Sequence, residues 1–153
     1  MKVIFVCLGN ICRSPMAEFI CKHLLKTKYK NLHLKISSAG TSDWNEGQPM
    51  HRGTAKKLEE NNIEHEGFVS KKLTKKMFDD NDLIIVMDNS NYSNVLGEFH
   101  NKSKIKKITE YLVENKSKYN EVPDPWYTNN FEETYKILSE SINNLLAKLE
   151  KNN

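Results

Sequence analysis

The stretch Val3-Ile4-Phe5-Val6-Cys7-Leu8-Gly9-Asn10-Ile11-Cys12-Arg13-Ser14-Pro15 decides the fold. Its first four residues form an apolar, β-branched run that reads as a buried strand. Beyond Pro15, the residues Ala17, Ile20, Cys21, Leu24 and Leu25 recur at the spacing of one apolar helix face. The residues between are therefore a tight loop joining a strand to a helix. Such a loop aims several backbone N–H groups at one point, with the positive end of the helix dipole behind them, and that makes an anion site. Cys7 opens the loop, where a helix N-terminus and a nearby Arg favour the thiolate. Arg13 closes it with a planar fork that matches two phosphate oxygens. A thiolate facing a bound phosphate is a nucleophile aimed at phosphorus.

The competing account is a packed core cysteine and an unrelated surface arginine. From average residue usage, a Cys with Arg six places on and Ser or Thr next arises in roughly one or two percent of chains with three cysteines. Gly and Asn inside the loop, a strand before it and Pro at the first helical turn make coincidence much rarer.

Composition narrows the classes around this loop. The chain has 153 residues, the size of a single domain over 1–153 with a real core. Lys and Arg number 23 against 20 Asp and Glu, a net charge of +3, which is too weak to argue for nucleic acid. The lysines at 71, 72, 75 and 76 and at 102, 104, 106 and 107 read as solvated faces. No apolar run approaches a membrane span, and the short N-terminal run is cut off by Asn10 and Arg13, so neither a membrane nor a secretory signal is expected. Cys7, Cys12 and Cys21 are an odd, clustered set, neither a disulfide network nor a zinc site, so no metal is expected. A working thiolate needs a reducing compartment, and the cytoplasm follows as the expectation.

Along the rest of the chain, Leu32, Leu34 and Ile36 alternate with polar residues and predict a second strand running to Ser38. Residues 39–49 are rich in turn formers and predict a loop that carries Trp44. A weaker helix follows over 51–61, with His51 and His65 as surface or packing residues. Leu83-Ile84-Ile85-Val86-Met87 is the clearest buried strand. Asp88 stands at its carboxyl end, where it caps a helix containing Tyr92, Val95, Leu96 and Phe99. A short fourth strand is predicted at 105–108. Val122-Pro123-Asp124-Pro125-Trp126-Tyr127 reads as a rigid loop in which two prolines hold Asp124 extended. Phe131, Tyr135, Leu138, Ile142, Leu145 and Leu149 then mark a long final helix. Strands alternating with helices imply an α/β fold, a parallel sheet with helices on both faces.

The Cys-x5-Arg-Ser signature on a strand–loop–helix, together with Asp124-Pro125-Trp126-Tyr127 far downstream, resembles the low-molecular-weight protein tyrosine phosphatase family, in its bacterial type, over nearly the whole chain. The resemblance implies a three-layer, flavodoxin-like sandwich with four parallel strands in order 2-1-3-4. It implies that the Asp124 loop folds over the phosphate loop. It assigns Cys7 as nucleophile, Arg13 and the backbone of Leu8, Gly9, Asn10, Ile11 and Cys12 as the phosphate cradle, and Asp124 as general acid. Asn10, Ser14 and Ser38 brace the loop, with Ser14 hydrogen-bonded to the thiolate. Trp44, Trp126 and Tyr127 form aromatic walls around a phosphotyrosine ring, and Cys12 is a partner for a reversible disulfide with Cys7. The implied reaction is metal-independent hydrolysis of phosphotyrosine in proteins and of small aryl phosphates through a phosphocysteine, without a cofactor, by a monomer or weak dimer.

Four rivals share parts of this pattern. Protein-arginine phosphatases of the same family carry Thr where Ile11 stands, so Ile11 argues for tyrosine. A thiol-dependent arsenate reductase needs later cysteines, and none follows Cys21. A phosphocysteine carrier needs neither Arg13 nor Asp124. A catalytically dead phosphotyrosine-binding module has no use for all three of Cys7, Arg13 and Asp124. The chain departs from the family in having Trp126 where many members have Tyr.

Overall fold

The computed structural model describes residues 1–152. Its four strands are β1 (Lys2–Cys7), β2 (Lys35–Gly40), β3 (Leu83–Val86) and β4 (Ile105–Lys107). They form one parallel sheet in the order β2-β1-β3-β4. The helices are α1 (Arg13–Thr27), α2 (Arg52–Glu60), α3 (Lys75–Asp80), α4 (Asn89–Phe99), α5 (Pro125–Thr128) and α6 (Phe131–Lys151). The expected three-layer α/β architecture and strand order are thus present.

The two-residue alternation of β1 divides the core. Val3, Phe5 and Cys7 pack on one face with α1, α2 and α6, while Ile4 and Val6 pack on the other with Phe78 of α3 and Val95 of α4. Both faces are covered, so β1 and β3 read as unbroken apolar runs, as in any parallel sheet buried on two sides. Each fully buried Ile or Phe there contributes roughly 1.5–3 kcal/mol. The long helix α6 lays Leu138, Ile142 and Leu145 into the α1 side, with acidic Glu132 and Glu133 in its first turn and Lys148 and Lys151 in its last, as its dipole prefers.

Three expectations need correction. The second strand begins at Lys35, not Leu32, because its ladder starts where β1 begins: Lys35 N–H donates to the Met1 carbonyl at 3.1 Å. Leu32 instead closes a turn back onto Tyr29 and packs into the core. The strand extends past Ser38 to Gly40 because it pairs with β1 as far as Cys7. Helix α3 had no apolar stripe to announce it. It buries only Phe78, and its N-terminus is capped by Thr74, which accepts from the Met77 N–H at 3.2 Å. The Pro-Asp-Pro segment is rigid loop only up to Asp124, whose backbone is extended at φ −82° and ψ 114°; Pro125 starts the single turn α5.

The order β2-β1-β3 places a topological switch between β1 and β3, where open α/β sheets bind ligands at the strands' carboxyl ends. Cys7 ends β1, and Asp88 follows β3 by two residues.

Candidate active site

The loop from Cys7 to Arg13 is held from outside through its carbonyls. Cys7 C=O accepts from Thr41 N–H (2.9 Å), Leu8 C=O from the Ser42 hydroxyl (2.9 Å), and Gly9 C=O from the Ser70 hydroxyl (3.1 Å). Ile11 C=O accepts from His51 N–H (2.8 Å) and Cys12 C=O from the Thr54 hydroxyl (3.0 Å). In a planar trans peptide the N–H lies opposite the C=O. Carbonyls pulled outward therefore turn the following amides inward, and the N-terminus of α1 adds its dipole to the same point. Asn10 makes the tight turn possible with φ +54°, a left-handed conformation that Asn tolerates. Gly40 lets the strand beside the loop approach closely, since a Cβ there would sit 2.8 Å from the Leu8 carbonyl oxygen.

A buried chain of hydrogen bonds braces the sulfur. Cys7 Sγ lies 3.0 Å from Ser14 Oγ. Asn10 Nδ2 donates to Ser14 Oγ (2.7 Å) and to Ser38 Oγ (3.0 Å), and Ser38 Oγ donates to Glu18 Oε1 (2.5 Å). Glu18 is itself buried and accepts from Lys22 Nζ at 2.6 Å. Sequence reasoning missed Glu18; the signal was a carboxylate beside Ala17 on the helix face that faces the core. It also missed Ser70, which is buried beneath Gly9.

Arg13 is 2 % exposed and fixed on three sides. Its Nη1 donates to Asp88 Oδ2 (2.8 Å) and to the Val122 carbonyl (2.9 Å), and its Nη2 reaches Asp124 Oδ2 at 3.4 Å. Burial works against its charge, but Cys7, Asp124 and Asp88 outweigh that and hold the guanidinium more firmly protonated than usual. Asp88 therefore does more than cap α4: Oδ1 accepts from Asn91 N–H at 2.7 Å while Oδ2 orients Arg13. Asp124 Oδ1 accepts from Trp126 N–H at 3.1 Å, so the single turn α5 is capped by the residue proposed from sequence as the acid.

These groups share one cleft of about 200 Å³, lined by Cys7, Leu8, Gly9, Ile11, Cys12, Arg13, Trp44, Asn45, Asp124, Trp126 and Tyr127. Trp44, Trp126 and Tyr127 stand at its mouth, 75 %, 60 % and 77 % exposed. The sequence-predicted residues Cys7, Arg13, Asp124, Ile11 and the three aromatics thus meet in one place, with Asn10, Ser14 and Ser38 just beneath. Cys12 lies in the cleft wall but is buried, and burial first, then the charges of Cys7 and Asp124, push its thiol up to about 12 against the pull of Arg13. Cys21 is core, as expected. His51 packs, its ring 5.0 Å from that of Phe131 and 5.7 Å from that of Trp126, and His65 bonds Glu59 at the surface. Among the described residues no cluster of three or more His, Cys, Asp or Glu is arranged to hold a metal ion, and no helix is long and apolar enough to cross a membrane.

The family model for low molecular weight phosphotyrosine protein phosphatases matches residues 2–153. The chain belongs to that family. Among its phosphatase relatives, the low molecular weight protein-tyrosine-phosphatase PtpA of Staphylococcus aureus is 43 % identical over 153 residues, covering 99 % of this chain and 95 % of that protein. The crystal structure of YfkJ from Bacillus subtilis superposes with a TM-score of 0.93 at 39 % identity, covering 99 % of this chain and 96 % of that one. The arginine phosphatase YwlE, also from Bacillus subtilis, shares the phosphatase fold at a TM-score of 0.86 and 27 % identity, covering 99 % and 97 %.

Proposed function

We propose that this protein hydrolyses phosphotyrosine in proteins, and small aryl phosphates, through a phosphocysteine intermediate. The observation that carries the reading is the convergence of Cys7, Arg13 and Asp124 in one cleft, with Arg13 and Asp124 bonded at 3.4 Å although 111 residues apart in sequence. The inward amides of residues 8–13 and the Arg13 guanidinium bind the phosphoryl oxygens and match the charge that grows in the transition state. The Cys7 thiolate attacks phosphorus in line as the P–O bond to the phenol breaks. Asp124, protonated at this stage, gives its proton to the leaving oxygen. In the second step Asp124, now ionised, takes a proton from water, whose oxygen attacks phosphorus. The S–P bond breaks, and phosphate and the thiolate are released. Ser14 hydrogen-bonds the thiolate, while Asn10 and Ser38 hold Ser14 and the loop. Trp44, Trp126 and Tyr127 supply walls for an aromatic ring.

Ile11 separates this reading from that of an arginine phosphatase. It lines the cleft with an apolar side chain, which suits the flank of a phenyl ring and offers no hydroxyl to a guanidinium. The whole chain, 1–153, acts as one domain and as a monomer or weak dimer, with no nucleic-acid or membrane partner. Three free thiols, including the nucleophile, suit a reducing cytoplasm. Cys12 is the partner for a protective disulfide once Cys7 is oxidised: loss of the Cys7 charge removes one of the influences that hold the Cys12 proton.

The test is steady-state turnover of matched phosphotyrosine and phosphoarginine peptides by the wild type, Cys7→Ser and Asp124→Ala. The expected result is strong preference for phosphotyrosine, no turnover by Cys7→Ser, and a loss of roughly 10²–10⁴ for Asp124→Ala on poor leaving groups. Normal turnover by Cys7→Ser, or preference for phosphoarginine, overturns the reading.

A further inference from the structure

Lys107 ends β4 in a cluster that the sequence assigns to solvent, yet its half-buried ammonium is spent on bonds to the protein itself. Nζ donates to Asn89 Oδ1 (2.7 Å), to the Asn120 carbonyl (3.1 Å) and to Asn120 Oδ1 (2.9 Å). An ammonium has three N–H donors, and all three are used. Thr109 adds a fourth bond, its hydroxyl donating to the same Asn120 carbonyl at 2.9 Å. The next two residues are fastened as well. The Glu121 carboxylate accepts from Asn89 N–H (2.8 Å), Val122 N–H donates to the Met87 carbonyl (2.9 Å), and Val122 C=O accepts from Arg13.

This fastened strip leads directly to Asp124 through Pro123, whose ring fixes its own φ. The Asp124 carboxylate has little else to hold it. It bonds Arg13 at a long 3.4 Å and the N–H of Trp126 in its own single turn, whose aromatic side chains are exposed. The placement of the carboxyl in the cleft is therefore set upstream, where Asn120 and Val122 are tied to the carboxyl ends of β3 and β4. The tie is a charged donor gripping two neutral oxygens of one residue, stronger than an ordinary neutral hydrogen bond.

We propose that Lys107 is a positioning residue for the proton donor: its ammonium clamps Asn120 to the sheet and thereby places Asp124 over the scissile oxygen. The proposal rests on the reading of Asp124 as general acid. A residue that only stabilises the fold would change activity equally for every substrate. One that places the acid matters in proportion to how badly the leaving oxygen needs a proton.

The experiment measures kcat/KM, which reports the first phosphoryl transfer, for phenyl phosphate and for p-nitrophenyl phosphate, with thermal midpoints alongside. The variants are Lys107→Met, Lys107→Arg and Asn120→Ala, with Asp124→Asn as reference. Displacing a catalytic group by a fraction of an ångström to one ångström predicts for Lys107→Met a loss of about tenfold or more on phenyl phosphate. The loss on p-nitrophenyl phosphate, whose leaving group departs without help, is much smaller. Lys107→Arg restores part of the difference, and Asn120→Ala, which keeps the backbone carbonyl and its Thr109 bond, shows the same pattern more weakly. Equal losses on both substrates, or none on phenyl phosphate, overturn the proposal. Should Lys107→Met fail to fold, Asn120→Ala carries the same test. Asp124→Asn separates the two ideas: if it shows no leaving-group dependence, the acid assignment itself falls, whereas dependence in Asp124→Asn without any in the Lys107 and Asn120 variants sinks the clamp alone.

Discussion

The side-chain amide of Asn10 donates to the hydroxyl of Ser14 at 2.7 Å, and this bond leaves the Ser14 O–H free to donate to a different partner. Two acceptors lie within reach of that O–H, Cys7 Sγ at 3.0 Å and the Ala39 carbonyl at 3.4 Å. A Cys7 thiolate has no proton to give, so toward the ionised nucleophile Ser14 is the donor. A hydrogen bond to a charged group is worth about 1.5–3 kcal/mol, so Ser14→Ala lowers kcat/KM roughly 10- to 100-fold with little change in thermal midpoint. Asn10→Ala loses at least as much, because it also gives up the left-handed turn. Stopped-flow measurement of phenol release with the two variants checks the order.

Asp88 serves two masters, and two substitutions separate them. Asparagine caps a helix about as well as aspartate, so Asp88→Asn retains the Asn91 N–H bond through its one amide oxygen and loses the oxygen that faces Arg13. It removes the negative charge beside the buried Arg13 guanidinium. Asp88→Ala loses the cap too, at a cost of about 1 kcal/mol. Both variants bind inorganic phosphate more weakly, and Asp88→Ala shows the lower urea midpoint of the two because it alone also loses the cap. Equal phosphate affinity in Asp88→Asn and wild type would refute the role assigned to the ion pair.

Gly40 is where β2 meets the Cys7–Arg13 loop. An added Cβ would press on the Leu8 carbonyl oxygen at 2.8 Å and on Asn10 at 3.2 Å, and both belong to backbone or to a braced side chain that cannot swing away. Gly40→Ala costs roughly 1–3 kcal/mol of stability. It also weakens binding of the phosphate analogue vanadate, since the loop itself must shift. Calorimetry with and without vanadate reads both effects; an unchanged vanadate affinity would show that the loop does not rest on this contact.

Alkaline pH acts on the buried thiols. Burial, with the Glu18 charge added and Lys22 opposing, pushes Cys21 from 9.0 up to about 12. A folded-state value above the unfolded one means that the native protein keeps protons the unfolded chain has already lost. Stability from this source is complete below about pH 9 and falls as pH rises toward about 12. Urea midpoints should therefore drop steadily over that window, and Cys21→Ala should flatten the slope. An identical slope in the variant would place the effect elsewhere, with Cys12 the next thiol to examine.

Much of the fold was legible because it is written in local patterns. Val3 to Val6 is apolar on both faces, and α1 and α6 repeat their apolar residues at helical spacing, so each element carries its own signal. The start of β2 was not legible, since a strand's extent depends on the partner it pairs with, here Met1 and Lys2. Helix α3 buries a single Phe, too little for a periodicity. At the site, Cys7 and Arg13 stood out because the chemistry of one loop sits in consecutive residues. Ser70 and the second role of Asp88 did not, because each acts on that loop from a distance along the chain, and Glu18 did not, because it acts through Ser38 on a different element.

The sequence by itself determined the Cys7–Arg13 loop, the α/β class and the family, because a strand, a Gly-Asn turn and a helix start between Val3 and Pro15 leave little freedom. Only the tertiary structure decided how Asp124 reaches that loop. It does so through Val122 on Met87 and Arg13, with Asn120 clamped by Lys107. Those contacts join residues far apart in the chain, and their energy exists only once the sheet has brought β3 and β4 beside β1. A lysine that reads as one of four in a basic run becomes a tie between elements for the same reason: its partners, Asn89 and Asn120, are assembled by the fold.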